Sequence, residues 1–415
     1  VISTAQSRRN VRVAAATSFM GFAGFTVVMP FLPLYISELG VRDIGEVAMW
    51  SGLTLGATPA VTAISAPLWG RVGDRYGSKL LVLRSLGAFV LTKSAMAFVT
   101  APWQLVALRG LLGVFAGYGA LTMSMAAESV RREEMPRAIG VVQMGQRLGP
   151  AIGPIVGGVI APVVGLRRAF LVTAAFYLVA MLMVALFYQE PRTRVARSAT
   201  RSLASVAREL AATPGFLLAL AVIFTLQTVD RSFSPILPLF VEQLGISGAR
   251  VATVSGVLFS MIAVCAAIGH KAAGRLMQRW SSPALVTSVA LTTACALVAI
   301  VVLPSMWTLT AGLVVASLGI GVAMTSAYST AGALLPADAH VTGFGIMTTA
   351  SLVGLAFSPV LAGFVGASGL RIVFVVDVVL LLALVVALAV AGARKVPEVP
   401  EVPEVPEVPD MPAVP

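Results

Sequence analysis

The chain has 415 residues, of which 58% are apolar and only 11% charged, with a net charge of +11 and a mean hydropathy of +0.93. So little polar surface cannot cover a chain of this length in water, which excludes a soluble globular protein and makes lipid its solvent. Uncharged runs such as 169–189, or 281–337 with room for two spans, meet the length of about 20 residues that a helix needs to cross roughly 30 Å of hydrocarbon, and they are apolar all round, which excludes a barrel.

Runs between charge clusters and Pro/Gly punctuation predict twelve spans, at 13–37, 47–69, 80–100, 103–126, 138–162, 168–188, 216–240, 250–270, 283–303, 307–332, 341–365 and 371–392. They fall into two sixes because the chain repeats. PFLPLYISELG from Pro30 to Gly40 returns as PILPLFVEQLG from Pro235 to Gly245, and Gly149, Pro154 and Gly158 return at the same displacement as Gly354, Pro359 and Gly363. One offset along both halves indicates a duplicated bundle. The expected fold is an all-α integral membrane protein of twelve transmembrane helices in two pseudo-symmetric six-helix halves, 1–188 and 216–395. A basic linker at 189–215 joins them, and a tail at 396–415 has a proline at nearly every third position that favours polyproline II over helix or sheet.

The basic residues alternate between loops. Twenty fall on the side of the N-terminus, from Arg8, Arg9 and Arg12 to Arg394 and Lys395, against five on the other, Arg42, Arg167, Arg168, Arg250 and Arg371. That asymmetry places both termini in the cytoplasm, so the net charge reports topology and no nucleic-acid partner is expected. The protein is expected as a monomer in the inner (plasma) membrane of a bacterium, since arginine far outnumbers lysine and Ala, Val and Gly abound.

In span 1, Phe25 and Met29 belong to a series of aromatic and Met side chains that offers an adaptable apolar lining. Between spans 2 and 3 lies GRVGDRYGSK, Gly70 to Lys79. This segment resembles the signature loop of the major facilitator superfamily. The resemblance implies a gating lock: Asp74 meets the N-terminal dipole of span 11 across the half interface, Arg75 and Lys79 are basic partners, Gly70 and Gly77 allow the tight turn, and Glu128 is the acid at the end of span 4. A carboxylate on a helix N-terminus is worth up to ~2 kcal/mol when partly buried. Ser78 departs from the family pattern, which has a second arginine there.

Span 3 carries Lys93 seven residues from the outer face, and a snorkelling lysine accounts for it. Span 4 carries Arg109 about six residues inside the membrane, in LRGLLGVFAGYGA. This is similar to the arginine pattern of the family's drug:proton antiporter branch, which implies a part in proton coupling, although the glutamine that usually follows is missing. Span 5 holds Arg147 and then GPAIGPIVGG. Gly149, Gly153 and Gly157 form one face that admits a neighbouring helix, while Gly158 extends the motif and Pro150 and Pro154 remove backbone bonds. The segment resembles the antiporter motif of the same branch and implies export.

Asp230 and Arg231 are adjacent in span 7, about 21 Å from its cytoplasmic start. Neighbours in a helix point about 100° apart, so they need not neutralise one another. Asp230 is the deepest acid and the expected proton carrier, with Asp377 in span 12 the other candidate. Phe233 joins Phe25, Met29 and Arg147 as a substrate-cavity residue. Arg109, Arg147 and Arg231 against Asp230 leave that cavity positive, which favours anionic cargo. His270 and His340 fall at helix ends, and Cys265 and Cys295 stand apart, so no catalytic residue, metal site or cofactor is expected. The resemblance thus implies a proton-coupled exporter of small amphipathic or drug-like molecules working by alternating access, whose partners are its cargo, protons and the bilayer. A proton-coupled importer of a sugar or metabolite is the alternative on the same fold. The second copy of the loop signature, GRLMQRWSSP from Gly274, keeps Arg275 and Arg279 but has Gln278 and Ser281 where the first has Asp74 and Gly77.

Overall fold

The computed structural model describes residues 4–131, 134–190, 208–210, 212–335 and 340–393. Fifteen helices are found among them: α1 (Thr4–Thr26), α2 (Leu32–Glu38), α3 (Ile44–Tyr76), α4 (Ser78–Met96), α5 (Pro102–Val114), α6 (Tyr118–Glu128), α7 (Met135–Val164), α8 (Leu166–Phe187), α9 (Pro214–Ser232), α10 (Leu237–Gln243), α11 (Ala249–Leu276), α12 (Ser282–Val302), α13 (Met306–Ala333), α14 (His340–Ser368) and α15 (Leu370–Ala393).

They form the expected twelve spans in two sixes. Ten spans are long and apolar enough to cross a membrane by composition alone. The other two are α1, diluted by Arg8, Arg9 and Arg12, and α4, which holds Arg84 and Lys93. Both pack into the bundle, α1 against α7 and α8, α4 against α8 and α6. Large apolar side chains face outward, among them Val163, Trp307 and Leu91. In water such a surface would aggregate; in lipid it is the solvated face.

The repeated eleven residues fold the same way twice. Pro30 lacks the N–H that would continue α1, so the chain turns through 27–31 on short-range bonds such as Met29 N to Thr26 O and re-enters helix at α2. Its copy ends α9 at Ser232, turns through 233–236 and restarts as α10. Both copies finish on a glycine in the left-handed region, Gly40 at φ 98° and Gly245 at φ 93°. Duplication is therefore visible in the backbone.

Two spans differ from expectation. Span 4 is two helices, because Gly117 at φ 99° breaks it after Phe115. Span 2 runs on as helix to Tyr76, so most of the signature expected as a loop is the last part of α3. The turn to α4 is Gly77 alone, at φ 92° and ψ 156°. In the second half the matching connection takes five residues, 277–281, and Ser281 sits at φ −64° with no demand for glycine.

The halves meet through α3 against α14 and α7 against α11. At both crossings, backbone lies on backbone. A β-carbon on Gly52 would fall 2.1 Å from Pro359 O, one on Gly56 2.6 Å from Ala356 O, and one on Gly256 2.4 Å from Pro154 O. These contacts lie toward the membrane face remote from the termini, so the halves are shut at that end.

Candidate functional site

Between the halves lies a cavity of about 20 Å³, lined by Phe25 and Met29 from the broken first span, Leu55 and Pro59 of α3, Arg231 and Ser234 at the broken seventh span, and Leu355 and Pro359 of α14. It has room for about one water molecule. Both helix breaks border it, which explains why irregular backbone is tolerated at that depth: it lines the cavity and not the lipid. Phe25 and Met29 stand where the sequence places them. Phe233 does not, being 4% exposed in the core. Arg147, also expected at the cavity, is exposed on α7 and lies within electrostatic reach of His270 in the second half.

Arg231 and Asp230 do pair, contrary to the angular argument: Arg231 Nε lies 2.9 Å from Asp230 Oδ2. The long guanidinium stem spans the 100° between neighbours. The contact is charge on charge without hydrogen-bond alignment, since the Nε–H finds no acceptor in line. His270, expected at a helix end without chemistry, lies six residues inside α11. Its Nδ1 is 2.8 Å from Thr325 Oγ1, and Arg147 and Asp230 are both within its electrostatic reach.

Two basic side chains are sealed into the first half. Arg109 is 1% exposed, and none of its guanidinium nitrogens makes a hydrogen bond. Its nearest compensation is the ring of Phe25, 5.3 Å from guanidinium carbon to centroid. Lys93 is 0% exposed and its Nζ has no partner. It therefore does not snorkel: α4 turns it inward, within electrostatic reach of Arg109. Nothing in the sequence shows which face of α4 is turned inward, and the apolar residues on all its sides hide it.

Asp377 is also more central than the sequence suggests. It is 2% exposed on α15 and hydrogen-bonded to Ser232, the last residue of α9.

At the signature, the side chains of Asp74 and Arg75 and the surroundings of Gly70 lie outside the described residues, as do the side chains at the start of α14. Glu128 accepts from Ser78 Oγ at 3.1 Å and from Ser124 Oγ at 2.6 Å. Ser78, the position that departs from the family pattern, thus supplies a neutral donor where a base was expected. Lys79 is not turned to an acid: its Nζ donates to Tyr188 O at 2.7 Å and Ala185 O at 3.2 Å, capping the end of α8. A β-carbon on Gly77 would lie 2.2 Å from Glu190 Oε1, in a backbone region that glycine alone adopts freely. Gly77→Ala is expected to destabilise the protein by about 1–3 kcal/mol, read as a lower melting temperature in detergent. Gly140→Ala, where a β-carbon meets nothing within 4 Å, is the control.

The glycine face of α7 receives α1. β-Carbons on Gly149, Gly153 and Gly157 would fall 2.7 Å from Ala23 N, 2.5 Å from Ala23 O and 1.8 Å from Val27 O. Gly158, one residue on, faces α11: its carbonyl accepts from Thr253 Oγ1 at 2.9 Å, and a β-carbon there would lie 2.5 Å from Ala252 O. Pro150 and Pro154 sit inside α7 without ending it, and beyond them Ile155 N donates to Ser260 Oγ of α11 at 3.2 Å.

A profile of the Major Facilitator Superfamily matches residues 14–304 and 252–411. The chain is 31% identical over 275 residues to the multidrug resistance protein MdtG of Proteus mirabilis, covering 66% of this chain and 68% of that one. With the MdtG of Citrobacter koseri it shares 32% over 273 residues, covering 66% and 67%. Among solved structures, a bacterial homologue of the human lysosomal transporter Spinster, inward-facing and unoccupied, superposes with TM-score 0.79 at 16% identity, covering 94% of this chain and 98% of that one. The nucleoside transporter NupG (D323A mutant) superposes with TM-score 0.71 at 12% identity, covering 91% and 99%. At these identities the structures speak for the fold alone.

Proposed function

This chain belongs to the major facilitator superfamily, a membrane transporter of small molecules and not an enzyme, and we propose that it exports amphipathic, drug-like cargo by alternating access, driven by protons moving inward. The observation that carries the reading is the cavity between the halves: it is walled by both broken spans and bounded at the end remote from the termini by crossings of small residues that can part without tearing a packed core. Export, as against import, is supported by relatives that bear the name multidrug resistance protein and by the glycine face of α7. The positive-inside asymmetry places the termini in the cytoplasm, so the shut end faces outward.

Coupling in this reading runs through the charged end of α9. There Asp230 and Arg231 form an ion pair at the cavity edge, with Asp230 15% exposed. Cargo is expected to be anionic. Among the described residues Lys93 and Arg109 are buried without a counter-charge, Phe25 lies against Arg109 and also lines the cavity, and a charge in the membrane interior is costly until it is paired.

The test is export of a fluorescent anionic compound from cells making the protein, with and without a protonophore. Efflux is expected to fall by at least about tenfold when the gradient collapses. Efflux that continues undiminished rules out proton coupling.

A further inference from the structure

Ser232 Oγ has one proton and two neighbours. It lies 3.0 Å from Val229 O, which can only accept, and it is hydrogen-bonded to Asp377 Oδ2. One hydroxyl proton serves both contacts only as a bifurcated bond; with a proton on Asp377, its carboxyl group donates to Ser232 and Ser232 to the Val229 carbonyl, so that each contact has its own proton.

The surroundings agree. Among the described residues, no cation is within ion-pair reach of Asp377, which is 2% exposed. The elements around it are α9, α10, α12 and α14. α12 contributes no ionisable group except the exposed Cys295. α14 has none but His340 at its first position, where the side chain is not described. Glu242 of α10 and Arg371 of α15 are exposed. α9 supplies Asp230 and Arg231, which are engaged with one another. A carboxyl group in an apolar, unpaired setting is far cheaper neutral than charged.

We propose that Asp377, held on Ser232, is the proton-binding group of coupled transport, carrying the proton in this conformation while Asp230 stays ionised against Arg231. The inference rests on the proton-coupled reading above and gives the proton a specific address. The two carboxyl groups divide the work by environment, one paired and partly exposed, the other sealed and neutral. When opening admits water to the seam between α9 and α15, the O–H bond of Asp377 breaks and the proton leaves to water. The carboxylate that remains is bonded to Ser232, the residue next in chain to Arg231, so the charge state of the seam reaches the charged end of α9 through that serine. Rebinding a proton from the other side restores the neutral arrangement.

The test uses the full chain in proteoliposomes and compares Asp377→Asn, an isostere of the protonated acid, with wild type. Uptake driven by an imposed pH gradient is expected to fall about tenfold or more, to the level without a gradient. Exchange of labelled for unlabelled cargo at equal pH is expected to stay within about twofold of wild type and to lose its dependence on pH. A merely structural aspartate would depress both activities together, and that result overturns the proposal. So does gradient-driven uptake at the wild-type level. A wild type indifferent to the gradient overturns proton coupling altogether, and this site with it, whereas a responsive wild type with an equally responsive variant overturns the site alone. Should Asp377→Asn not assemble, Ser232→Ala keeps the acid and removes its partner. It is expected to shift the pH midpoint of exchange, and an unshifted midpoint counts against the assignment.

Discussion

Gly157→Ala is expected to abolish transport and to lower the melting temperature of the purified protein sharply, while Gly140→Ala in the same helix leaves both near wild type. The added carbon would lie 1.8 Å from Val27 O, 2.8 Å from its carbonyl carbon and 3.2 Å from its Cα. All three are backbone atoms, so no side chain can swing away. Val27 is also fixed from within, since its N–H donates to Ala23 O at 2.9 Å at the point where α1 ends. Gly153 and Gly149 hold the preceding turns of α1 close as well, with β-carbons there 2.5 and 2.7 Å from the backbone of Ala23. The first span must therefore retreat as a unit, and it carries Phe25 and Met29 into the cavity wall. Overpacking a close-packed site costs about 1–3 kcal/mol, and a displaced α1 adds the loss of the cavity's shape. Transport of fluorescent cargo by each variant, set beside thermal melts in detergent, measures both parts. Wild-type behaviour of Gly157→Ala would refute the packing of α1 on this face.

What the sequence disclosed and what it hid follow from the range of the interactions concerned. Spans, their pairing into halves and the repeat are local or periodic, and they are legible in composition and in one displacement. The break in the first span was hinted at by Pro30 and Pro33, but only the fold explains why it recurs: both breaks wall the cavity. The continuation of α3 through the signature was hidden because Gly70 and Gly73 suggest a loop, whereas a helix tolerates isolated glycines at a cost of about 1 kcal/mol each. The Asp230–Arg231 contact depends on how far a guanidinium stem can bend, which spacing does not encode. Ser232 and Asp377 are 145 residues apart, and no periodicity connects them. Lys93 is hidden for a related reason. Sequence gives its depth along α4, but rotation about the helix axis decides whether the amino group meets lipid headgroups or Arg109.

That rotation leads to the second large effect. Lys93→Met is expected to raise the stability of the cargo-free protein, to abolish its response to anionic cargo, and to leave export of lipophilic cations intact or improved. Methionine matches the stem of lysine and fills the same space without the charge. Replacing an ill-compensated buried charge by an apolar side chain of similar volume is often stabilising by about 1–4 kcal/mol, and here the neighbour relieved of repulsion is Arg109, which cannot lose its proton. In the wild type the same two cations await a counter-charge. An anion that binds the folded protein alone should therefore raise its melting temperature, by an amount corresponding to about 2.7 kcal/mol at a hundredfold excess over the dissociation constant. Thermal melts of wild type and Lys93→Met across a series of anionic, neutral and cationic compounds read both effects in one experiment. Stabilisation of the wild type by cations alone would defeat the anionic reading, and a variant that melts lower than wild type would mean that Lys93 has a partner in another conformation. The direction of the stability change is the sharper arm. A lysine kept for structure would destabilise when removed, whereas one kept for cargo holds the empty protein below the stability its fold allows, in return for a site that is complete only when an anion occupies it.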